Sequence, residues 1–295
     1  MSSYKEKKIR ITIQLGAEKD TFDLAGNNTL VFEGLRTSCH INYGNGSVMP
    51  NAQIRIYGLK MENMVKLLRV KWNTVESLQN MIQIEAGDPD RMSIVYSGNI
   101  TFAKPDFAGA PNIALVIESN TAIRHQLVAV PARSFEGEIN VADAIKIICD
   151  DMGYTFENNG VDKKLENQYA ANTALQQIQT IASAADIDLY IDQSTIAIAP
   201  KGHPREIDIP VIKPTTGLLG YPVPDLIGVQ FTCLYDPALR FGGLVEIQDS
   251  IIEQCNGRWR VFGMVYSLES MMQGGKWQVD IKAATVEDKN VRISK

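Results

Sequence analysis

The sequence predicts an α+β chain that is mainly β, with a β-rich domain at each end and a small α/β domain between them. Three observations carry that prediction. Apolar residues recur at every second position through much of residues 1–124, helical spacing replaces the alternation over residues 125–205, and alternation returns over residues 206–295. A period of two buries one face of a strand, and a period near 3.6 does the same for a helix.

The elements follow in order. Ile9, Ile11, Ile13 and Leu15 alternate with Arg10, Thr12 and Gln14 and predict the first strand. Further strands are expected over Leu35–Tyr43, around Ile54 and Ile56, around Ile82 and Ile84, and over Met92–Phe102 and Asn112–Glu118. One helix interrupts them: Met61, Met64, Val65 and Leu68 form an apolar stripe suited to covering an open side of the β structure. In the middle domain Asn140 caps a helix whose Val141, Ala144, Ile145, Ile148 and Met152 share a face, and Gly153 ends it. Asn172 or Thr173 begins a second helix, with Leu175, Ile178, Ile181, Ala182 and Ala185 inward. Ile187, Leu189 and Ile191 then alternate with Asp186, Asp188 and Tyr190, a turn follows at 192–194, and Ile196 and Ile198 mark another strand. Lys201–Pro214 reads as the exit linker. The last domain starts with an alternating strand in which Ile227, Val229, Phe231, Cys233 and Tyr235 share a face. Leu244–Ile251 and a long hairpin follow, with Arg258–Leu268 and Lys276–Ala284 flanking Gly274-Gly275. Each tryptophan of that hairpin opens an alternating series, Trp259, Val261, Gly263, Val265 and Trp277, Val279, Ile281, Ala283, which is the pattern of core packing.

Composition narrows the function. The formal charge of −5 over 295 residues argues against a dedicated nucleic-acid binder, which needs a basic face to displace phosphate counterions. Lys5, Lys7, Lys8 and Arg10 read as a solvated arm leading into the first strand. Cys39, Cys149, Cys233 and Cys255 are widely spaced, form no C-x-x-C pair and read as reduced, structural thiols. Cys39 and His40 are adjacent on a strand and point to opposite faces, so neither a metal site nor a cofactor is expected. No signal-peptide pattern and no run of about 18 apolar residues occurs, so the expectation is assembly in the cytoplasm without stable membrane association.

A catalytic site is not expected either. The paired carboxylates are Asp150-Asp151, at the end of a helix where neighbours diverge by about 100°, and Asp186 with Asp188, which read as the wet side of a strand. Glycoside hydrolysis needs two carboxyl groups facing each other across a cleft. His40, His125 and His203 have no nucleophile at a suggestive spacing, and no G-x-S-x-G elbow, P-loop or dinucleotide fingerprint is present.

The most patterned stretch, Ile209–Ile247, carries no reactive chemistry. Prolines at 210, 214, 222, 224 and 237 alternate with glycines at 217, 220, 228, 242 and 243, so the backbone turns repeatedly between short extended segments. Pro214 is followed by Thr215-Thr216-Gly217-Leu218-Leu219-Gly220-Tyr221-Pro222, a strand, Leu234-Tyr235-Asp236-Pro237-Ala238-Leu239 and Gly242-Gly243-Leu244-Val245. This order, with the hairpin from Gly257-Arg258-Trp259 to Trp277, resembles the entry into the last tube domain of phage tail baseplate hub proteins. The resemblance implies two tube-like β-barrel domains, 1–124 and 206–295, separated by the α/β domain 125–205. It implies a non-enzymatic virion protein of the tail baseplate: a homotrimer whose pseudo-six-fold ring joins the six-fold tail tube protein to the three-fold central spike protein. Contacts with tape-measure and other baseplate proteins, and DNA passing through the lumen, go with that role. Thr216, Gly217, Leu218, Gly220, Tyr221 and Pro222 are the expected structural linker motif. Larger hubs carry an insertion in the second tube domain for which Phe231–Trp259 leaves no room, so contacts made through it are not implied. A receptor- or glycan-binding tail-tip module, a secretion-system spike hub and a hub-associated peptidoglycan hydrolase remain the alternatives.

Overall fold

The computed structural model describes residues 6–16, 21–22, 25–44, 48–68 and 78–286, which form an α+β, mainly β chain. They fall into two compact units: Met1–Asn42, Met49–Val128 and Tyr266–Trp277 in the first, Tyr43–Val48, Ala129–Val265 and Gln278–Lys295 in the second.

Unit 1 contains β1 (Lys8–Gln14), β2 (Thr29–Glu33), β3 (Thr37–Tyr43), β4 (Asn51–Tyr57), α1 (Met61–Leu68), β5 (Met81–Asp88), β6 (Arg91–Asp106), β7 (Ala114–Asn120) and the short α2 (Ile123–Leu127). The strands hydrogen-bond in the order β3-β4-β7-β6-β5-β1-β2. Register follows the apolar alternation: Ile11 sits opposite Phe32 on one flank and Ile84 on the other, and Ile54 lies between Cys39 and Ile117. A one-residue slip would turn these buried side chains to solvent, which is what fixes the pairing. β2 escaped the sequence reading because only Phe32 of its five residues is buried. The α1 stripe is narrower than expected. Met64 is buried, but Met61 and Val65 are exposed, because an eight-residue helix lying against β6 presents one row of side chains to it. The Leu68 side chain and Lys5 lie outside the described residues. Lys8 and Arg10 are on β1 rather than on a solvated arm, where both pair with Glu33 and Arg10 also reaches Glu85, so these two charges are neutralised locally.

Unit 2 begins with β8 (Arg133–Asn140), α3 (Val141–Met152), β9 (Thr155–Asn158), β10 (Lys164–Ala170), α4 (Ala174–Ala184), β11 (Ile187–Asp192) and β12 (Thr195–Pro200). Asn140 accepts from the Ala142 amide and Gly153 closes α3 at φ 72°. Thr173 and Gln176 form a reciprocal capping box on α4. The predicted inward faces of both helices pack with Ile187, Leu189, Ile196 and Ile198 in one core, except Leu175, which is buried outside that cluster. β11 pairs antiparallel with β12, β12 pairs parallel with β9, and β8 and β10 form a separate two-stranded ribbon with no clear apolar alternation to announce it.

The rest of unit 2 holds β13 (Val211–Ile212), β14 (Leu218–Pro224), β15 (Gly228–Leu234), β16 (Leu244–Ile247), most of β17 (Gly257–Ser270) and most of β18 (Trp277–Thr285). The order is β14-β15-β18-β17, with β16 on β17 and β13 parallel to β16. Val229, Phe231 and Cys233 are buried as predicted, whereas Ile227 lies in the turn before β15 and is exposed. In β17 the expected series holds through Val261 and Gly263 and then slips. Met264, Tyr266, Leu268 and Ser270 are the buried set beyond it, and Val265 is only half-buried. From Tyr266 onward the strand belongs to unit 1, where β3 is its neighbour; two consecutive buried residues at Gly263 and Met264 switch its inward face.

Candidate functional site

The patterned segment folds as a turn followed by an edge strand. Lys213 is its anchor: its carbonyl accepts from the amides of Thr216 (3.0 Å) and Leu218 (2.9 Å), while its own amide donates to Thr216 Oγ1 (3.0 Å). Gly217 has φ 127° and Gly220 φ 72°, angles that side-chain-bearing residues rarely adopt. The Gly217 carbonyl accepts from the Leu234 amide at 2.8 Å, which ties the turn to β15. Leu218 and Pro222 point inward. Tyr221 is 62% exposed, Val223 60% and Leu226, in the turn to β15, fully exposed. Of the six motif residues, then, Leu218 and Pro222 hold the strand, Thr216 and Gly217 shape the turn, Gly220 sits where the β14–β15 register shifts, and Tyr221 faces outward.

A second cluster lies where the loop after β12 meets β9, β11 and β17. Arg205, 6% exposed, makes a forked pair with Glu157 (Nε to Oε1 3.0 Å, Nη2 to Oε2 2.7 Å). Its Nη1 donates to Asp192 (2.8 Å) and to the Phe241 carbonyl (2.9 Å). Burial opposes the guanidinium charge, but the two carboxylates outweigh it and push the Arg205 pKa up, while the arginine's hydrogen bonds hold the Glu157 carboxyl below its usual range. Nothing local in the sequence marks Arg205, since its partners are strands distant along the chain.

Asp188 corrects the sequence reading. It is half-buried rather than solvated, because the turn at Lys201-Gly202 folds back over β11 and Arg260 reaches in from β17. Its carboxylate accepts from the Gly202 amide (3.0 Å) and Arg260 Nη1 (3.3 Å). Arg260 also donates to Tyr190 Oη (2.8 Å), whose hydroxyl donates to the His203 carbonyl (3.0 Å). Burial pushes the Tyr190 phenol up to about 12. Gly242, at φ 81°, lies against the Tyr190 ring, where an added Cβ would come within 2.7 Å of it.

These clusters hold parts of unit 2 together. Asp150 and Asp151 are exposed and pair with Lys146 and Arg133, and Asp186 is exposed beside Lys201. A cleft of about 610 Å³ lined by Leu226, Ile227, Trp259, Arg260 and Thr285 contains one carboxylate, Asp225, which Gln230 and the Leu226 amide hold below the usual carboxylate range. A lone ionised carboxylate is no acid/base pair. Trp259 is half-buried and donates to the Cys255 carbonyl, and Trp277 is buried. The four cysteines are buried and unpaired with one another; burial raises every thiol, those of Cys149 and Cys233 to about 12. Among the described residues no group of three or more His, Cys, Asp or Glu is placed to hold a metal, and no helix is long and apolar enough to cross a membrane.

Several solved structures share the fold. The prophage MuSo2 43 kDa tail protein from Shewanella oneidensis is 11% identical, with a TM-score of 0.62 over 95% of this chain and 97% of that one. A tail protein from Neisseria meningitidis MC58 is 10% identical, with a TM-score of 0.60 over 94% and 96%. An Escherichia coli component of the type VI secretion system, described as similar to the T4 bacteriophage tail proteins gp27 and gp5, is 10% identical, with a TM-score of 0.57 over 86% and 74%. No curated protein matches by sequence. The family profile described as Baseplate hub gp41 matches residues 6–278, which takes in both β-rich ends and the α/β middle. The chain therefore belongs to the Baseplate hub gp41 family of phage tail proteins.

Proposed function

We propose that the protein is a non-enzymatic hub of the tail baseplate, three copies of which form a ring between the tail tube protein and the central spike protein. The observation that carries this reading is the family match over residues 6–278. It is supported by the presence of two β-rich regions in one chain, which we assign to residues 1–124 and 206–295, with the α/β domain at 125–205. Three copies of a chain with two similar β domains offer six similar surfaces to a six-fold tube and a true three-fold surface to a spike. Tape-measure and other baseplate proteins are its further neighbours in the virion, DNA passes through the lumen, and the negative balance of the chain suits transit without adhesion. Assembly takes place in the host cytoplasm. Light scattering on the purified protein at micromolar concentration tests the reading: a trimer is expected, alone or on mixing with its spike, and a strict monomer in both conditions overturns it.

A further inference from the structure

The cleft of about 610 Å³ in unit 2 is bounded by the turn joining β14 to β15, the start of β17 and the end of β18. Its volume falls inside the ~300–1,000 Å³ of ordinary ligand pockets. Two of its polar side chains are uncommitted and a third is only half committed. The side chains of Gln254 and Thr285 are exposed and make no hydrogen bond within the protein among the described residues. The Arg260 side chain is 15% exposed. Its Nη1 is taken by Asp188 and Tyr190, whereas its Nε is buried with no hydrogen-bond partner, which a folded chain tolerates at a cost in stability. Trp259 has spent its N–H on the Cys255 carbonyl at 2.9 Å, so what it offers the cleft is the ring.

The charges of the cleft are already answered from within. Asp188 lies 3.3 Å from Arg260 and offsets its guanidinium. Asp225 accepts from the Gln230 side chain and the Leu226 amide, and the nearby Lys282 also favours its ionised form. An anion at Arg260 would share the cleft with the Asp225 carboxylate, and a cation at Asp225 would share it with the guanidinium, so a compact ion of either sign gains little. A wholly apolar ligand would bury Gln254, Thr285 and the Arg260 Nε without partners, which is unfavourable. The groups that remain are complementary to a neutral molecule. Arg260 only donates, Asp225 only accepts, and Gln254 and Thr285 do both, beside an aromatic ring.

We propose that the cleft binds a neutral saccharide through Trp259, Gln254, Thr285 and Arg260. A pyranose ring has a flat C–H face that lies against an indole and a rim of hydroxyls that both donate and accept, which is the mixture these four side chains leave open. The hydroxyls pair with Gln254 and Thr285, and a sugar oxygen accepts from the side of Arg260 that has no acceptor in the protein. Leu226 and Ile227, exposed on the rim, add apolar surface beside the ring. The inference does not rest on the hub reading. It gives a structural protein a carbohydrate contact and no reaction, since the cleft lacks the second carboxyl group that glycoside hydrolysis requires.

Isothermal titration of the full-length protein with maltotriose, cellotriose and chitotriose at millimolar concentration tests the proposal, with sodium phosphate and tetramethylammonium chloride as ionic competitors. At least one trisaccharide is expected to bind, at a single site per chain, and neither ion is expected to displace it. Gln254→Ala and Thr285→Val remove side chains that hold nothing within the protein, so both variants should keep the wild-type melting temperature. Each is expected to weaken the sugar about three- to tenfold, the loss of one hydrogen bond. Binding of none of the three trisaccharides overturns the proposal, as does an affinity unaltered in both variants, which places the sugar elsewhere on the chain. Displacement by phosphate or by tetramethylammonium assigns the cleft to an ion and overturns it equally. A protein that is trimeric by light scattering yet binds no sugar loses this site and keeps the hub reading.

Discussion

At the residue scale the sequence announced positions defined by the backbone and missed those defined by distant partners. Gly217 and Gly220 stood out because prolines and glycines alternate around them, and both take positive φ. Gly217→Val forces a β-branched residue to φ 127°, with its Cβ about 3.3 Å from that of Leu234. The strain costs roughly 1–3 kcal/mol, so the variant should stay soluble, with β14 displaced, and fail to support tail assembly; normal infectious tails would show that the turn tolerates any residue. Arg205 gave no such signal, because Glu157 and Asp192 reach it only after β9 and β11 are in place. Replacing it by Met leaves Asp192 buried and unpaired, at a cost of about 3–5 kcal/mol. The pH dependence has a definite sign. Glu157 is held below its usual 4.5 in the folded chain, so its contribution is present above that value and fades as pH falls through the lowered one. Urea melts of wild type and Glu157→Gln should therefore differ most at neutral pH and converge as the solution is acidified below about pH 4.5. A gap that stays constant down to pH 3 would show that the Arg205 pair does not titrate with stability.

Elements were legible where local chemistry decides them. Asn140 and Gly153 bound α3, Thr173 begins α4, and the predicted inward faces of both are buried. β8 and β10 were not legible, because their burial follows no period of two and their pairing joins segments on either side of α3 and β9. β17 was read correctly in extent and wrongly in phase. Its slip at Gly263 and Met264 has no local signature, since Val261, Gly263, Met264 and Val265 satisfy either alternation and only the core each half meets decides between them. The slip predicts a pair of outcomes that the uninterrupted alternation reverses. Met264→Ala should destabilise by about 2–5 kcal/mol as a cavity in a packed core, and Val265→Ala by clearly less. Chemical denaturation of the two variants checks the order.

For the molecule as a whole, alternation, helical spacing and their return gave the β, α/β, β sequence of regions, while the order of strands across the sheets stayed hidden because it depends on contacts far apart along the chain. Asp188 shows what that concealment costs a functional reading: it looked solvated and is instead engaged by Gly202 and Arg260. A carboxylate so engaged braces β11 and β17. Asp188→Asn is therefore expected to lower the unfolding midpoint and to leave zymography on peptidoglycan unchanged at no clearing; robust clearing by the wild type, abolished in the variant, would make the chain a hydrolase. The edge strand β14 has a consequence for the chain on its own, since Tyr221 and Val223 are exposed along it. A bare apolar edge of that kind is a seed for fibrils. Pro222 and Pro224 interrupt the row of amides such growth needs, so the exposed side chains of β14 do not by themselves template the addition of further strands.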